Sequence, residues 1–165
     1  MITNAYFDFS YGRSCKHKIL SDFWNDKLES FAVTIEEIEE KRSSILKNNI
    51  LKKVKKAAIN FHPGPPEYRG TGCVNYALYE NSKFYGCTAH LINEKVDNGK
   101  IIDVKKFNIN KKDSISEVLT KTYKTMYDLA ISTIKNIKKN ADFIENQILK
   151  NKDIKWSNKI KNIKI

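Results

Sequence analysis

The sequence has few of the residues that mark membrane or secreted proteins. It contains three cysteines, Cys15, Cys73 and Cys87, an odd number without the spacing of a metal site, so we expect reduced thiols in a cytoplasmic protein and no metal. Runs of about 18 apolar residues are absent, so we expect no membrane association. The start, MITNAYFDFSYG, lacks a basic region followed by an apolar one, and we predict no signal peptide.

Arginine is scarce in a strongly basic chain. Only three of its 30 basic residues are Arg, while the formal net charge is +11. A surface that binds phosphate usually favours Arg, whose planar fork contacts two oxygens at once. The aromatic residues do not interleave with the lysines as a single-strand-binding groove requires. We therefore expect solvated lysines and no nucleic-acid partner, with a basic RNA-binding module as an alternative.

Proline and glycine are few, and they are concentrated in the middle of the chain. All three prolines lie in INFHPGPPEYRG, residues 59–70, and five of the six glycines lie between Gly64 and Gly99. The chain has no GxGxxG or P-loop pattern, which excludes those phosphate-binding turns. Because proline restricts the backbone, the stretch predicts a rigid loop that holds polar side chains at the end of a strand.

The order of the predicted elements is that of an α/β domain. Strands are predicted in ITNAYFDF, AAINF, YGCTAHLI and KIIDVKKFNI, and a short helix in CVNYALYEN. Capping boxes predict helices that begin at Thr34 and at Ser114. Further helices are predicted for residues 21–31 and 143–149. We divide the chain into a divergent segment (residues 1–56), a core (57–140) and a basic tail (141–165).

Asn60 and His62 are candidate catalytic residues. Residues two apart on a strand share one face, and the carboxyl end of such a strand opens onto the ligand crevice of α/β sheets. An amide beside an imidazole can stabilise a developing oxyanion, and the imidazole can also pass a proton. A structural Asn with a surface His in a turn is the alternative.

Asp97 is the third candidate. It lies in the loop NEKVDNG, where Asn98-Gly99 suits left-handed backbone angles. A carboxylate close to His62 would orient the ring and favour its protonated form. Because no Ser or Cys nucleophile stands beside these residues, the set indicates acyl transfer directly from donor to acceptor.

These residues occur in spaced motifs that resemble the 10-formyltetrahydrofolate-dependent formyltransferases. The motifs are Asn60-Phe61-His62-Pro63, Tyr68-Arg69-Gly70, Gly86-Cys87-Thr88 and Asp97-Asn98-Gly99, and the similarity covers roughly residues 50 to 140. The resemblance implies a Rossmann-like formyltransferase fold, with a mostly parallel sheet and flanking helices. The usual first strand-helix units and their phosphate-binding loop are not visible before Asn60, so this chain resembles a short, N-terminally truncated member.

The resemblance also implies roles for single residues. Asn60 binds the developing oxyanion, His62 stabilises it and relays protons, and Asp97 orients His62 and helps collect the proton of the amine. The loop residues Glu94, Val96, Asn98 and Gly99 line the pocket of the co-substrate 10-formyltetrahydrofolate. The residues expected to steady the loop, support the strand or touch the acceptor are Pro65, Tyr68, Arg69, Gly70 and Thr88.

The resemblance leaves the acceptor open. We favour the amino group of a nucleotide-linked amino sugar, with methionyl-tRNA or glycinamide ribonucleotide as alternatives, and a non-catalytic folate- or partner-binding remnant as another. Family members often dimerise through C-terminal elements, so a homodimer is possible here. Trp156 in the tail either covers an apolar patch or packs in a dimer. His90, three residues after Cys87, is not expected to bind metal.

Overall fold

The computed structural model describes residues 57–161 in full and residues 5–8 and 162 as backbone only. Six strands and three helices lie in these residues. The strands are β1 (Ala5–Asp8), β2 (Ala57–His62), β3 (Arg69–Thr71), β4 (Phe84–Leu91), β5 (Ile101–Asn108) and β6 (Ile160–Asn162). The helices are α1 (Cys73–Tyr79), α2 (Ile115–Lys139) and α3 (Phe143–Lys150).

The predicted strands β1, β2, β4 and β5 and the predicted helices α1, α2 and α3 are confirmed, and so is the α/β class. Helices predicted for residues 21–31 and from Thr34 onward lie outside the described residues. The division at residues 56 and 140 stays a prediction. None of the helices in the described part of the chain is long and apolar enough to cross a bilayer.

The strand directions correct one expectation. The main sheet has the order β1-β2-β4-β5, in which β1 and β2 run parallel while β2–β4 and β4–β5 are antiparallel. Within residues 5–8 and 57–162 the sheet is therefore not mostly parallel. The link from β4 to β5, residues 92–100, contains no helix, and parallel neighbours need a crossover of a dozen or more residues.

A second, two-stranded sheet was not predicted. In it β3, from the loop after β2, pairs in parallel with β6 near the end of the chain, with Arg69 opposite Ile160. Both strands have only three residues and no alternating pattern, so their sequences gave no strand signal. This pairing brings the tail next to the proline-rich loop.

The two faces of β2 have different chemistry. Ile59 and Phe61 point into a hydrophobic core that also contains Cys87 and Ala89 of β4 and Met126 of α2. Because side chains alternate along a strand, Asn60 and His62 point to the other face. The five residues from Ala58 to His62 are nevertheless all buried. A polar pair is therefore fixed inside the protein by the packing of its apolar neighbours.

The start of α2 is set by local hydrogen bonds. Glu117 N donates to Ser114 Oγ at 3.2 Å, and Ser114 N donates to Glu117 Oε2 at 2.7 Å, which completes a capping box. The helix buries Val118, Met126 and Leu129 against the sheet. The predicted capping box is confirmed, and it begins the helix that supports the strands of the site.

Ser114→Ala should lower the free energy of unfolding by about 1 kcal/mol, because the first turn of α2 loses its cap. Urea denaturation checks this value. Ser116→Ala is the matched control, since Ser116 is exposed inside the same helix and should change stability by only a few tenths of a kcal/mol. Equal losses in the two variants would contradict the capping role.

Candidate active site

The cluster at the end of β2 joins side chains from three segments. The register of β2 and β4 places His90 opposite Asn60 and Thr88 opposite His62. Asp97 reaches the same face from the loop between β4 and β5. All of these side chains are buried, with His62 only 2% exposed and Asp97 9%. The structure therefore brings the three predicted catalytic residues together in a closed, polar interior site.

Asp97 is the centre of the contacts. Its Oδ2 accepts a hydrogen bond from Gly70 N at 3.1 Å and lies 3.4 Å from His62 Nδ1. Its Oδ1 accepts from Asn60 Nδ2 at 3.4 Å and lies 3.7 Å from His90 Nε2. One carboxylate thus links the strand residues to the loop that carries Gly70.

The backbone of the Asp97 loop corrects a detail of the sequence analysis. Asp97 itself has a left-handed φ of 41°, a conformation that Asp tolerates better than most residues. Neither Asn98 nor Gly99 has a positive φ. Gly99 is needed for space instead, because a Cβ there would lie 1.5 Å from the Leu91 carbonyl oxygen.

Both ring nitrogens of His62 face acceptors. Nε2 lies 2.8 Å from the Tyr68 carbonyl oxygen, and Nδ1 faces Asp97. A neutral ring has one N–H, which the shorter contact places on Nε2, so the proton gained on ionisation would lie between Nδ1 and the carboxylate. Burial lowers the pKa of His62, and the attraction of Asp97 opposes this only in part.

Burial alone would raise the pKa of Asp97. Imidazolium N–H groups at His90 and His62, where these rings are protonated, and the N–H of Gly70 outweigh that effect and hold the pKa of Asp97 below its ordinary value of 3.8. Asp97 is therefore an anion at neutral pH. It can stabilise a proton that His62 carries on its ring without itself becoming protonated.

His90 belongs to the cluster, and the sequence analysis missed this. Its Nδ1 donates to the Leu91 carbonyl at 2.8 Å, which leaves Nε2 to accept from Asn60 Nδ2 at 3.1 Å. The ring thus fixes the orientation of the Asn60 amide. A signal was present, because His90 lies two residues after Thr88 and shares its face of the predicted strand.

Trp156 is the second residue that was missed. Its Nε1 donates to the Gly99 carbonyl at 2.8 Å, and its ring contacts His90 and His62 at centroid distances of 4.9 and 5.7 Å. It therefore covers the catalytic candidates, while the two roles predicted for it stay predictions. No local pattern indicated this, because the contact joins positions far apart in the chain.

The other predicted residues surround the cluster. Thr88 Oγ1 donates to the Gly64 carbonyl at 2.8 Å, and Tyr68 N donates to the Pro65 carbonyl at 2.8 Å. Arg69 Nε and Nη2 both donate to the Val96 carbonyl, at 2.8 and 2.6 Å. These bonds tie the proline-rich loop to β4 and to the Asp97 loop.

The predicted donor-binding residues divide into two groups. Gly99 is buried beside Trp156 and Asn98 is half-buried, whereas the side chains of Glu94 and Val96 are exposed and do not reach the cluster. A groove of about 760 Å³ is lined in part by Trp156. Its lining includes Arg69, Gly99, Lys100, Leu149, Lys152 and Trp156.

Of the two cysteines in the described residues, Cys73 has its thiol beside the imidazole of His62. Its Sγ lies 3.9 Å from His62 Nε2 and donates to the Tyr68 carbonyl at 3.0 Å. Burial raises the pKa of Cys73 to about 12, so the sulfur is a thiol and a poor nucleophile at neutral pH. The arrangement therefore suits chemistry without a covalent enzyme intermediate. Among the residues of the described ranges, no group of His, Cys, Asp and Glu has the geometry to hold a metal ion.

The lowered pKa of His62 predicts a pH-dependent stability. Below the ordinary value of 6.5 the unfolded chain takes up the proton and the folded chain resists it, so stability falls as the pH falls through this value. Urea midpoints at about pH 7.5 and about pH 5.5 should show a smaller loss for His62→Gln than for the wild type. Asp97 does not interfere, since its contribution is lost only below 3.8. Equal losses would contradict the buried neutral ring.

Comparison with solved structures supports the fold. A sugar N-formyltransferase from Shewanella sp FDAARGOS_354 is 30% identical, with 72% of this chain and 44% of that chain covered and a TM-score of 0.50. An N-formyltransferase from Helicobacter canadensis, solved with folinic acid and dTDP-3-aminofucose, is 25% identical, with 64% and 36% covered and a TM-score of 0.50. A 4-N formyltransferase from Francisella tularensis, 21% identical, shares the fold over 84% of this chain and 70% of that chain, with a TM-score of 0.58.

The sequence comparisons agree. The methionyl-tRNA formyltransferase of Listeria innocua is 35% identical over 91 residues, which is 54% of this chain and 29% of that protein. The chain thus spans less than a third of the length of the curated relatives it matches. Residues 41–134, more than half of the chain, match the family described as Formyl transferase. These proteins are enzymes, and the chain belongs to the formyl transferase family.

Proposed function

We propose that the protein transfers a formyl group from 10-formyltetrahydrofolate to the amine of a nucleotide-linked amino sugar. The buried contact of Asn60, His62 and His90 with the ionised Asp97 carries this proposal. An ordinary structural turn does not need three buried polar side chains around one carboxylate, because burying them costs free energy unless they are paired. Functional sites often contain such perturbed groups.

The proposed step is a direct attack. The amine nitrogen forms a bond to the formyl carbon, and the carbonyl oxygen gains negative charge. The bond from that carbon to the folate nitrogen then breaks, and the amine's proton goes to the departing nitrogen. Each stage needs hydrogen-bond donors near the oxygen and a carrier for the proton.

The chain offers both kinds of group. Asn60 Nδ2 donates to His90 and Asp97, and His62 Nε2 donates to the Tyr68 carbonyl. These N–H groups are already oriented, so in the reaction they would exchange a protein acceptor for the oxyanion. A proton taken by His62 would be stabilised at Nδ1 by Asp97. Asp97 thus acts on the reaction through His62.

Support for the donor comes from the relatives. The Helicobacter canadensis protein was solved with folinic acid, a formylated folate. In this chain we place the donor beside the loop of Glu94, Val96, Asn98 and Gly99, with the main chain as the main source of contacts because Glu94 and Val96 point outward.

Support for the acceptor also comes from the relatives. The Shewanella protein is a sugar N-formyltransferase, and the Helicobacter protein was solved with dTDP-3-aminofucose. The matching methionyl-tRNA formyltransferases supply a second candidate acceptor. Salt separates the two, because affinity for an RNA falls steeply with ionic strength while affinity for a small nucleotide sugar changes much less.

The wider setting is part of the same proposal. Cys73 and Cys87 are both buried and unpaired, which suits a reducing, cytoplasmic compartment. A homodimer stays a prediction.

His62→Ala should lower the turnover of amine formylation by about 10²- to 10⁴-fold, the usual contribution of a general acid-base group, and leave the binding of a stable 10-formyltetrahydrofolate analogue nearly intact. Product formation and calorimetric titration measure the two quantities. Lys83→Ala, an exposed site away from the cluster, is the control. Unchanged turnover in His62→Ala would refute the mechanism.

Asp97→Asn should reduce turnover and weaken the binding of the 10-formyltetrahydrofolate analogue, because an amide cannot hold His62 and Asn60 as the carboxylate does. Asp103→Asn is the matched control, since Asp103 lies on β5 and accepts from Val104 N away from the cluster. The same assays apply, with dTDP-linked amino sugars and methionyl-tRNA as competing acceptors. Equal effects of the two substitutions would mean that Asp97 has no special role.

A further inference from the structure

The tail of the chain lies across the candidate active site. Residues 151–162, called the strap here, follow α3 and are fixed at three places. Asn151 Nδ2 donates to the Ile102 carbonyl at 2.7 Å, Ser157 N donates to the Pro66 carbonyl at 2.9 Å, and β6 pairs with β3. Trp156 lies between the first and the last of these anchors.

Trp156 borders both the cluster and the groove. One side of its ring contacts His62 and His90, and the residue also lines the groove of about 760 Å³. The groove lining contains Lys100, Lys152 and Lys155 and no acidic residue. An anionic substrate in this groove would therefore lie against the residue that contacts His62 and His90.

The closed arrangement does not admit a reaction. Asn60 is 6% exposed and His62 2%, and His62 Nε2 is hydrogen-bonded to the Tyr68 carbonyl oxygen. Formyl transfer needs the attacking nitrogen and the formyl carbon about 3–3.5 Å apart beside these groups. Some part of the cover has to move before both reactants fit.

The strap is held by contacts that can break. Lys161 Nζ donates to Glu80 Oε1 at 2.8 Å, and Glu80 Oε2 accepts from Tyr68 OH at 2.9 Å. Lys161 Nζ also lies 4.6 Å from the centroid of the Tyr76 ring. Glu80 is 45% exposed and Lys161 17%, and an ion pair that water reaches on one side contributes only modestly to stability. The pairing of β3 with β6 spans only three residues.

Gly70 couples the strap to the carboxylate. Its N–H donates to Asp97, and in the sheet it is the partner of Lys161. A Cβ at Gly70 would lie 2.2 Å from the Lys161 carbonyl oxygen, so the strap approaches closely because this residue is glycine. Release of β6 thus acts on the residue that holds Asp97.

We propose that the strap is a removable cover, with Trp156 as the gate between the groove and the buried Asn60, His62 and Asp97. The strap opens when β6 leaves β3 and the Lys161–Glu80 contact breaks. Substrate then takes the place of the indole ring. This proposal rests on the proposed function only where activity is measured. One of the two tests below therefore measures no activity.

The first test locks the strap with a disulfide. Thr71 and Asn162 are partners in the β3–β6 register, and strands about 4.8 Å apart allow the Cα separation that a disulfide needs. The variant is Thr71→Cys with Asn162→Cys in a Cys15→Ser background. The two single-cysteine chains are the controls, and mass spectrometry confirms the bond.

In the oxidised double variant, both the affinity for the 10-formyltetrahydrofolate analogue and the turnover should be at least about tenfold lower than in the same protein after reduction. The single variants should not respond to reductant. Equal binding and turnover in the oxidised and reduced forms would overturn the gate while leaving the proposed function intact. A reduced protein that neither binds nor reacts would contradict the proposed function instead.

The second test needs no substrate. Trp24→Phe leaves Trp156 as the only tryptophan, and acrylamide quenching reports its exposure. In that background Lys161→Ala should raise the quenching constant about twofold or more, whereas Lys83→Ala should not change it. The oxidised double variant should show less quenching than its reduced form. Unchanged quenching in Lys161→Ala and on reduction would overturn the gate, whatever the activity.

Discussion

The arrangement depends on one buried carboxylate. A charge such as that of Asp97 is costly inside a protein unless donors and opposite charges surround it. The partners come from β2 (Asn60 and His62), β3 (Gly70) and β4 (His90), so these strands must keep their relative positions. The left-handed backbone of Asp97 is a further cost that the same contacts offset.

Apolar packing on one face of the sheet offsets the free-energy cost of burying this polar cluster. Ile59 and Phe61 are fully buried against α2, and they fix β2 so firmly that Asn60 and His62 must point the other way. The antiparallel pairing with β4 then sets His90 opposite Asn60. Packing on one face thereby orients the hydrogen bonds on the other, which keeps the amide and imidazole ready for a developing charge.

Electrostatics and access are linked in this site. Burial keeps His62 neutral, and it would strengthen the attraction between a protonated ring and Asp97, but it also excludes substrate. A site that must be dry for chemistry and open for binding needs a moving part. The weakly held tail meets both needs, since Trp156 excludes water while its anchors are short and partly exposed.

The local secondary structure and the catalytic candidates could be predicted from the sequence. Alternating and helical patterns, the Ser114 capping box and the Asn60-x-His62 spacing are all local, and local chemistry acts within a few residues. Four features could not be predicted in this way. They are the antiparallel direction of β4, the place of His90 beside Asn60, the left-handed backbone of Asp97 and the cover that Trp156 forms over the cluster. Each of these depends on contacts between distant segments, such as Trp156 with Gly99, whose register no single segment encodes.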